Sequence, residues 1–146
     1  MMKIEPWMKH PVVTVKPQDS AKHAREVMER HRINQLPVVV DGRLIGIVTD
    51  RDLRDAYPSV FDSAEAVGRR HKVGTDPATI SVESVMTRDV FTLAPGAFVA
   101  DAARIMRRER IGAIPIVDGK RLVGILTRTD VLDAFIEVSQ TAIPLG

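Results

Sequence analysis

Two threonine–aspartate pairs, Thr49-x-x-Asp52 and Thr127-x-x-Asp130, occur in matching settings in this 146-residue chain. Each follows a glycine and two apolar residues: Gly46-Ile47-Val48 before the first, Gly124-Ile125-Leu126 before the second. An apolar strand running into a polar, capped start reads as a strand-to-helix junction. There the threonine ends the strand and the aspartate falls in the first helical turn. A helix start offers unpaired N–H groups and a positive dipole end, suited to phosphate. The threonine hydroxyl can donate to an oxygen, and the carboxylate can accept both hydroxyls of a ribose. Gly46 has no side chain, so a planar ring could approach the strand. A nucleoside fits this set: base on the strand, ribose on the aspartate, phosphate toward the helix. The same spacing is also a capping box that needs no ligand. A duplicated cap is inherited as easily as a duplicated site.

The elements that carry these pairs are themselves repeated. An offset of 78 residues aligns Met8 with Met86 and continues without a gap to Ala56 and Ala134; about 19 of the 49 aligned positions are identical. Such a long internal match indicates one duplicated unit rather than a stack of short repeats. Repeat 1 spans about 6–56, a linker 57–83, repeat 2 about 84–135, and a tail 136–146. Within each repeat the pattern predicts a strand (Val12–Val15, Val90–Leu93) ended by Pro17 or Pro95. A helix capped by Asp19 or Ser20 and running to His31 buries Ala21, Ala24, Val27 and Met28; Val99, Ala102, Ile105 and Met106 match them. Two apolar strands follow, joined by a tight turn at Asp41-Gly42 or around Asp118-Gly119. A last short helix starts at Thr49/Asp50. The order is β-α-β-β-α in each repeat, an α+β fold. At about 50 residues one repeat is too small to be stable alone, so the two should pack together with pseudo-twofold symmetry. In the linker, Asp62–Val67 reads as a short helix and Gly74-Thr75-Asp76-Pro77 as a turn.

Composition narrows the function classes. The chain is 45% hydrophobic and 27% charged, with net charge +2 and no cysteine. Thiolate chemistry and disulfides are excluded, which suits a reducing cytoplasm. No signal peptide or membrane span is expected. The four histidines lack zinc spacing, and no phosphate-loop or nucleophile-elbow motif occurs, so neither a catalytic residue nor a resident metal site is expected. Asp50 and Asp52 are the only place foreseen for a Mg²⁺ carried in by a nucleotide. Arg104, Arg107, Arg108 and Arg110, with the Arg69–Lys72 cluster, could meet nucleic acid phosphates, but few aromatics are present for base stacking. Trp7 reads as a packing anchor for the N-terminal arm.

Each repeat resembles a CBS domain, named after cystathionine β-synthase. The resemblance lies in Thr14-Val15-x-Pro17, Ile33-x-x-Leu36-Pro37-Val38 and Gly46-Ile47-Val48-Thr49-x-x-Asp52. In repeat 2 it lies in Thr92-Leu93-x-Pro95, Ile111-x-x-Ile114-Pro115-Ile116 and Gly124-Ile125-Leu126-Thr127-x-x-Asp130. It implies a tandem pair, or Bateman module, that binds adenosine-containing ligands: AMP, ADP, ATP, S-adenosylmethionine or NAD. It further implies that Asp52 and Asp130 hold ribose, with Thr49 and Thr127 near ribose or phosphate. Val13, Thr14, Val15, Leu36 and Pro37 would border one adenine; Phe91, Thr92, Leu93, Ile114 and Pro115 the other. Many nucleotide-binding relatives carry His or Arg before the Leu-Pro segment. Here Asn34-Gln35 and Gly112-Ala113 stand there, which argues against tight triphosphate binding. Arg51, Arg54 and Arg128 could serve the phosphates instead.

The stretches Asp50–Ser59 and Asp130–Phe135 are similar to stand-alone bacterial CBS proteins of the acetoin-utilisation type. The expected function is therefore a non-enzymatic regulatory sensor that signals to an effector protein, working as a homodimer. No cofactor is required, and the adenosyl ligand is the small-molecule partner. The alternatives are a structural dimerisation module with vestigial sites and a nucleic-acid-associated regulator.

Overall fold

The computed structural model describes residues 1–56 and 76–142. The expected linker helix at 62–67, the basic cluster at 69–72 and the first half of the 74–77 turn lie outside the described residues. The chain divides into two compact units, and these do not follow the sequence repeats. One is Val13–Asp89; the other joins Met1–Val12 to Val90–Gly146.

In the unit holding repeat 1, helix α1 (Ala21–His31) begins at Ser20, whose Oγ accepts the His23 N–H at 3.0 Å. Its helical spacing buries Ala21, Ala24, Val27 and Met28. It ends at Arg32, which takes a left-handed conformation (φ 55°) and donates its N–H back to the last turn. Strands β1 (Gln35–Val40) and β2 (Arg43–Thr49) then form an antiparallel hairpin. Asp41 and Gly42 both have positive φ, as a two-residue type I′ turn requires. Helix α2 (Asp50–Ala56) follows directly, with Leu53 buried. After Asp76 caps a single 3₁₀ turn (Pro77–Thr79), the one-turn helix α3 (Val82–Val85) closes the unit. The core combines the α1 face with Val15, Leu36, Val38, Val48, Leu53 and Val82.

The unit holding repeat 2 repeats this plan. It contains α4 (Val99–Glu109), the β3 (Ala113–Asp118) and β4 (Arg121–Thr127) hairpin, and α5 (Arg128–Ala142). Arg110 ends α4 with φ 55°, as Arg32 ends α1. The hairpin turn differs: Gly119 alone has positive φ, the pattern of a type II′ turn with glycine first. Asp101 accepts the Phe98 N–H at 3.3 Å, but Phe98 has no acceptor to return, so half of a capping box remains. The core gathers Val99, Ala102, Met106, Ile114, Ile116, Leu126 and Ala134 around Ile4 of the N-terminal arm. Trp7 packs partly buried against it, as expected of an anchor.

Two expectations change. The first strand of each repeat shrinks to one parallel rung: Val15 with Val38, and Leu93 with Ile116. The expected tail from 136 is helical through Ala142, as a continuation of α5.

Each unit also takes in the segment that precedes the other repeat's first strand. Ile4 N–H donates to Ala97 O and Val82 N–H to Asp19 O, both at 2.8 Å; Glu5 and Glu83 donate to Pro95 and Pro17. Val99 N–H donates to Met2 O and Ala21 N–H to Ile80 O, at 2.9 and 2.7 Å. Every pair is related by the 78-residue offset, so the structural repeat begins at Met2, six residues before the sequence repeat.

Candidate functional site

The hairpin register gathers the motif residues within each unit. Gln35 pairs with Thr49 and Leu36 with Val48; Ala113 pairs with Thr127 and Ile114 with Leu126. On the outer edge of β1, Val15 N–H donates to Pro37 O at 3.1 Å; Leu93 N–H donates to Pro115 O at 3.3 Å. The Thr-Val/Thr-Leu segment, the Leu-Pro/Ile-Pro segment and the Thr-x-x-Asp turn are thus successive neighbours. Leu36, Pro37, Ile114 and Pro115 are fully buried and Val15 nearly so. Their side chains belong to the core. Val13, Thr14 and Leu93 are half-buried, while Phe91 and Thr92 are exposed.

Both Thr-x-x-Asp pairs form closed capping boxes. Asp52 Oδ2 accepts the Thr49 N–H at 2.9 Å, and Thr49 Oγ1 accepts the Asp52 N–H at 3.1 Å. Asp130 Oδ2 accepts the Thr127 N–H at 2.8 Å and the Thr127 hydroxyl at 2.9 Å; the Asp130 N–H reaches Thr127 Oγ1 at 3.4 Å. The helix starts are further occupied because Asp50 N–H donates to Asn34 O and Arg128 N–H to Gly112 O. The free helix-start N–H groups expected for a phosphate are therefore partly consumed by the chain itself.

Gly46 does not leave an open face for a ring. A Cβ there would stand 2.7 Å from Met86 Sδ and 2.9 Å from the Thr87 carbonyl oxygen; at Gly124 it would meet Met8 Sδ. The missing side chain serves close packing of a methionine from the preceding segment.

Sequence reasoning passed over that segment. Thr87 exchanges both backbone hydrogen bonds with Ile47, and Lys9, its counterpart, does so with Ile125. Lys9 then reaches the motif with its side chain: its ammonium donates to Asp130 Oδ1 and lies 3.4 Å from Thr127 Oγ1. The one available signal was that Met8 and Met86 open the repeat.

The arginines divide. Arg51 is exposed at the start of α2, and Arg54 pairs with Asp50 at 3.6 Å. Asp50, one of the two carboxylates foreseen for Mg²⁺, is therefore already ion-paired. Arg128 lies over Gly112 and lines an open groove of about 530 Å³ between α4 and α5, with Met106, Arg107, Arg110 and Val131. Neither Thr127 nor Asp130 lines that groove. In the basic helix, Arg104 pairs with Asp101 at 3.2 Å and Arg108 with Glu109 at 2.9 Å, which weakens a phosphate-tracking reading. Among the described residues, no group of three or more His, Asp or Glu side chains could hold a metal ion. No helix there is long and apolar enough to cross a membrane.

The duplicated hairpin with its Thr-x-x-Asp turn has a counterpart among known proteins. Residues 4–59 and 82–137 each match the sequence profile of the CBS domain. The chain belongs to the CBS-domain family. The two matches are offset by 78 residues and include the arm and linker segments that the sequence repeat misses. This CBS pair is 37% identical over 123 residues to a CBS domain-containing protein of Dictyostelium discoideum, covering 83% of this chain and 82% of that one. It is 34% identical to the inosine-5'-monophosphate dehydrogenase of Korarchaeum cryptofilum, of which it spans only 21%. Among solved structures it is similar to a protein of Vibrio cholerae assigned to acetoin utilization, AcuB (TM-score 0.79, 27% identity, 99% of each chain). It is also similar to CBSX2 in complex with AMP (TM-score 0.78, 25% identity, 95% of this chain and 99% of that one). A third is the CBS domain pair of protein MJ0100, in complex with 5'-methylthioadenosine and S-adenosyl-L-methionine (TM-score 0.73, 27% identity, 94% and 98%).

Proposed function

We propose that this CBS pair is a non-enzymatic regulatory module that binds an adenosine-containing ligand and passes its occupancy to an effector protein in the cytoplasm. The observation that carries the reading is the carboxylate of Asp52. One of its oxygens caps α2, and among the described residues the other has no partner. A carboxylate oxygen left unpaired at a strand-to-helix turn is an acceptor for a ribose hydroxyl. The AMP, methylthioadenosine and S-adenosylmethionine complexes of similar CBS pairs supply the ligand class. Thr14, Val13 and the Pro37 backbone would flank the base in the first unit, and Thr92, Phe91 and the Pro115 backbone in the second. Arg51 and Arg128 would meet a phosphate. A monophosphate or an adenosyl group suits these sites better than a Mg²⁺-bound triphosphate, because Asp50 is already paired with Arg54. Regulation requires a ligand that favours one of two conformations of the module.

Calorimetry and thermal shift with AMP, ADP, ATP, S-adenosylmethionine and NAD test the reading. Stabilisation by at least one of them is expected, weakened by Asp52→Asn. No response to any at millimolar concentration would reject it.

A second reading has its own observation. Leu132, Phe135 and Ile136 form an apolar stripe on α5 and are 60, 63 and 51% exposed. Such a stripe on a polar helix suits pairing with a second copy of the chain. The dimer is compatible with ligand binding and is proposed alongside it.

A further inference from the structure

The two aspartates of the repeat sit in chemically different surroundings. Asp52 keeps Oδ1 unpartnered among the described residues and is half-buried. Asp130 is only 5% exposed and uses both oxygens: Oδ2 takes the N–H and hydroxyl of Thr127, and Oδ1 takes the Lys9 ammonium. One position causes the difference. Lys9 and Thr87 stand at equivalent places, each hydrogen-bonded through its backbone to the strand residue two before the motif threonine. A lysine there spans the gap to the carboxylate on its four-carbon stem; a threonine is neutral and short. Among the described residues, Thr87 makes no side-chain bond to Asp52.

We propose that Lys9 acts as a built-in competitor for the ribose at Asp130, so that the module has a tight adenosine site at Asp52 and a weak one at Asp130. This rests on the adenosine-binding reading above. A ribose diol that places both hydroxyls on Asp130 Oδ1 must displace a charge-assisted hydrogen bond, one of the stronger kinds. The displacement is feasible because the Lys9 side chain is 56% exposed and can swing into water. At Asp52, among the described residues, no such bond stands in the way of the incoming hydroxyl. Occupancy of the first site therefore precedes the second as ligand rises, and Lys9 sets the interval between them. The competitor comes from the N-terminal arm, so filling the second site also releases the arm's side-chain tie to α5.

The test is titration calorimetry of the full chain with AMP, adenosine and S-adenosylmethionine, in wild type and in Lys9→Thr, which installs the residue of the other copy. Lys9→Met is the second variant, keeping the apolar stem. Urea unfolding confirms that each variant folds. Wild type should give two affinities separated by at least about tenfold, the scale of one charge-assisted hydrogen bond. Asp52→Asn should abolish the tighter one. Both Lys9 variants should tighten the weaker site and close the interval. A second-site affinity that is unchanged or weakened in both variants would overturn the proposal, the latter making Lys9 a ligand-binding group. Two equal sites in wild type would overturn it while leaving adenosine binding intact. No binding of AMP, adenosine or S-adenosylmethionine by any of the chains would overturn the underlying reading and this proposal with it.

Discussion

Met86 fills the space above Gly46. A Cβ at Gly46 would come within 2.7 Å of Met86 Sδ and 2.9 Å of the Thr87 carbonyl, whereas the three atoms nearest to one at Gly124 all belong to the Met8 side chain. A methionine side chain can turn aside, but a carbonyl that accepts the Ile47 N–H, on a residue whose own N–H donates back to Ile47, cannot. Gly46→Ala should therefore cost on the order of 1–3 kcal/mol, the usual range for overpacking, and Gly124→Ala clearly less. Urea denaturation of the two variants checks the order; equal losses would contradict the packing argument.

The capping boxes make a separate prediction, independent of ligand. Thr49→Ala and Thr127→Ala each remove the hydroxyl that accepts an aspartate N–H at the helix start. Each should lower stability by about 1 kcal/mol. Thr127→Ala should cost more than Thr49→Ala, because the Thr127 hydroxyl also donates to the Asp130 carboxylate. Denaturation midpoints without ligand give the comparison.

The fold was largely legible because its signals are local. The spacing of Ala21, Ala24, Val27 and Met28, the Asp41-Gly42 turn and the Thr-x-x-Asp junction each act over a few residues. The contribution of the arm was hidden. Between 2–7 and 80–85 only Glu5 and Glu83 are identical, and what relates the segments is a set of backbone hydrogen bonds that any residue can make. The candidate site was half legible. The reciprocal Thr–Asp bonds follow from a spacing of three, but Lys9 and Asp130 are 121 positions apart, and no periodicity connects them. Gly46 misled for a related reason: a small residue in a strand permits close approach without saying by what.

The arm's role can be tested through Ile4. It is fully buried in the core of the unit that holds repeat 2, at the place Val82 takes in the other unit. Ile4→Ala should cost about 2–5 kcal/mol, the range for truncating a buried isoleucine. Val82→Ala removes less volume and should cost less. A loss below about 0.5 kcal/mol for Ile4→Ala, the level of an ordinary surface change, would remove the arm from that core.

Pairing of two copies through α5 is the last prediction. Leu132, Phe135 and Ile136 recur at the i, i+3, i+4 spacing of one helix face, and all three are more than half exposed. The opposite side of the same helix buries Ala134 fully. A surface helix needs only one apolar face to hold it to its own core, so α5 carries a second such face without a partner among the described residues. Leu132 of the stripe also lines the arginine-lined groove beside Val131, which enlarges the apolar area available to a second copy. Size-exclusion chromatography with light scattering should give a dimer. Phe135→Glu should raise its dissociation constant by at least about thirtyfold, the scale of losing one buried aromatic anchor. Thermal stability at concentrations where wild type is monomeric should hardly move, because Phe135 makes no part of either core. A monomeric wild type at tens of micromolar, or a dimer indifferent to Phe135→Glu and Leu132→Glu alike, would remove α5 as the pairing surface.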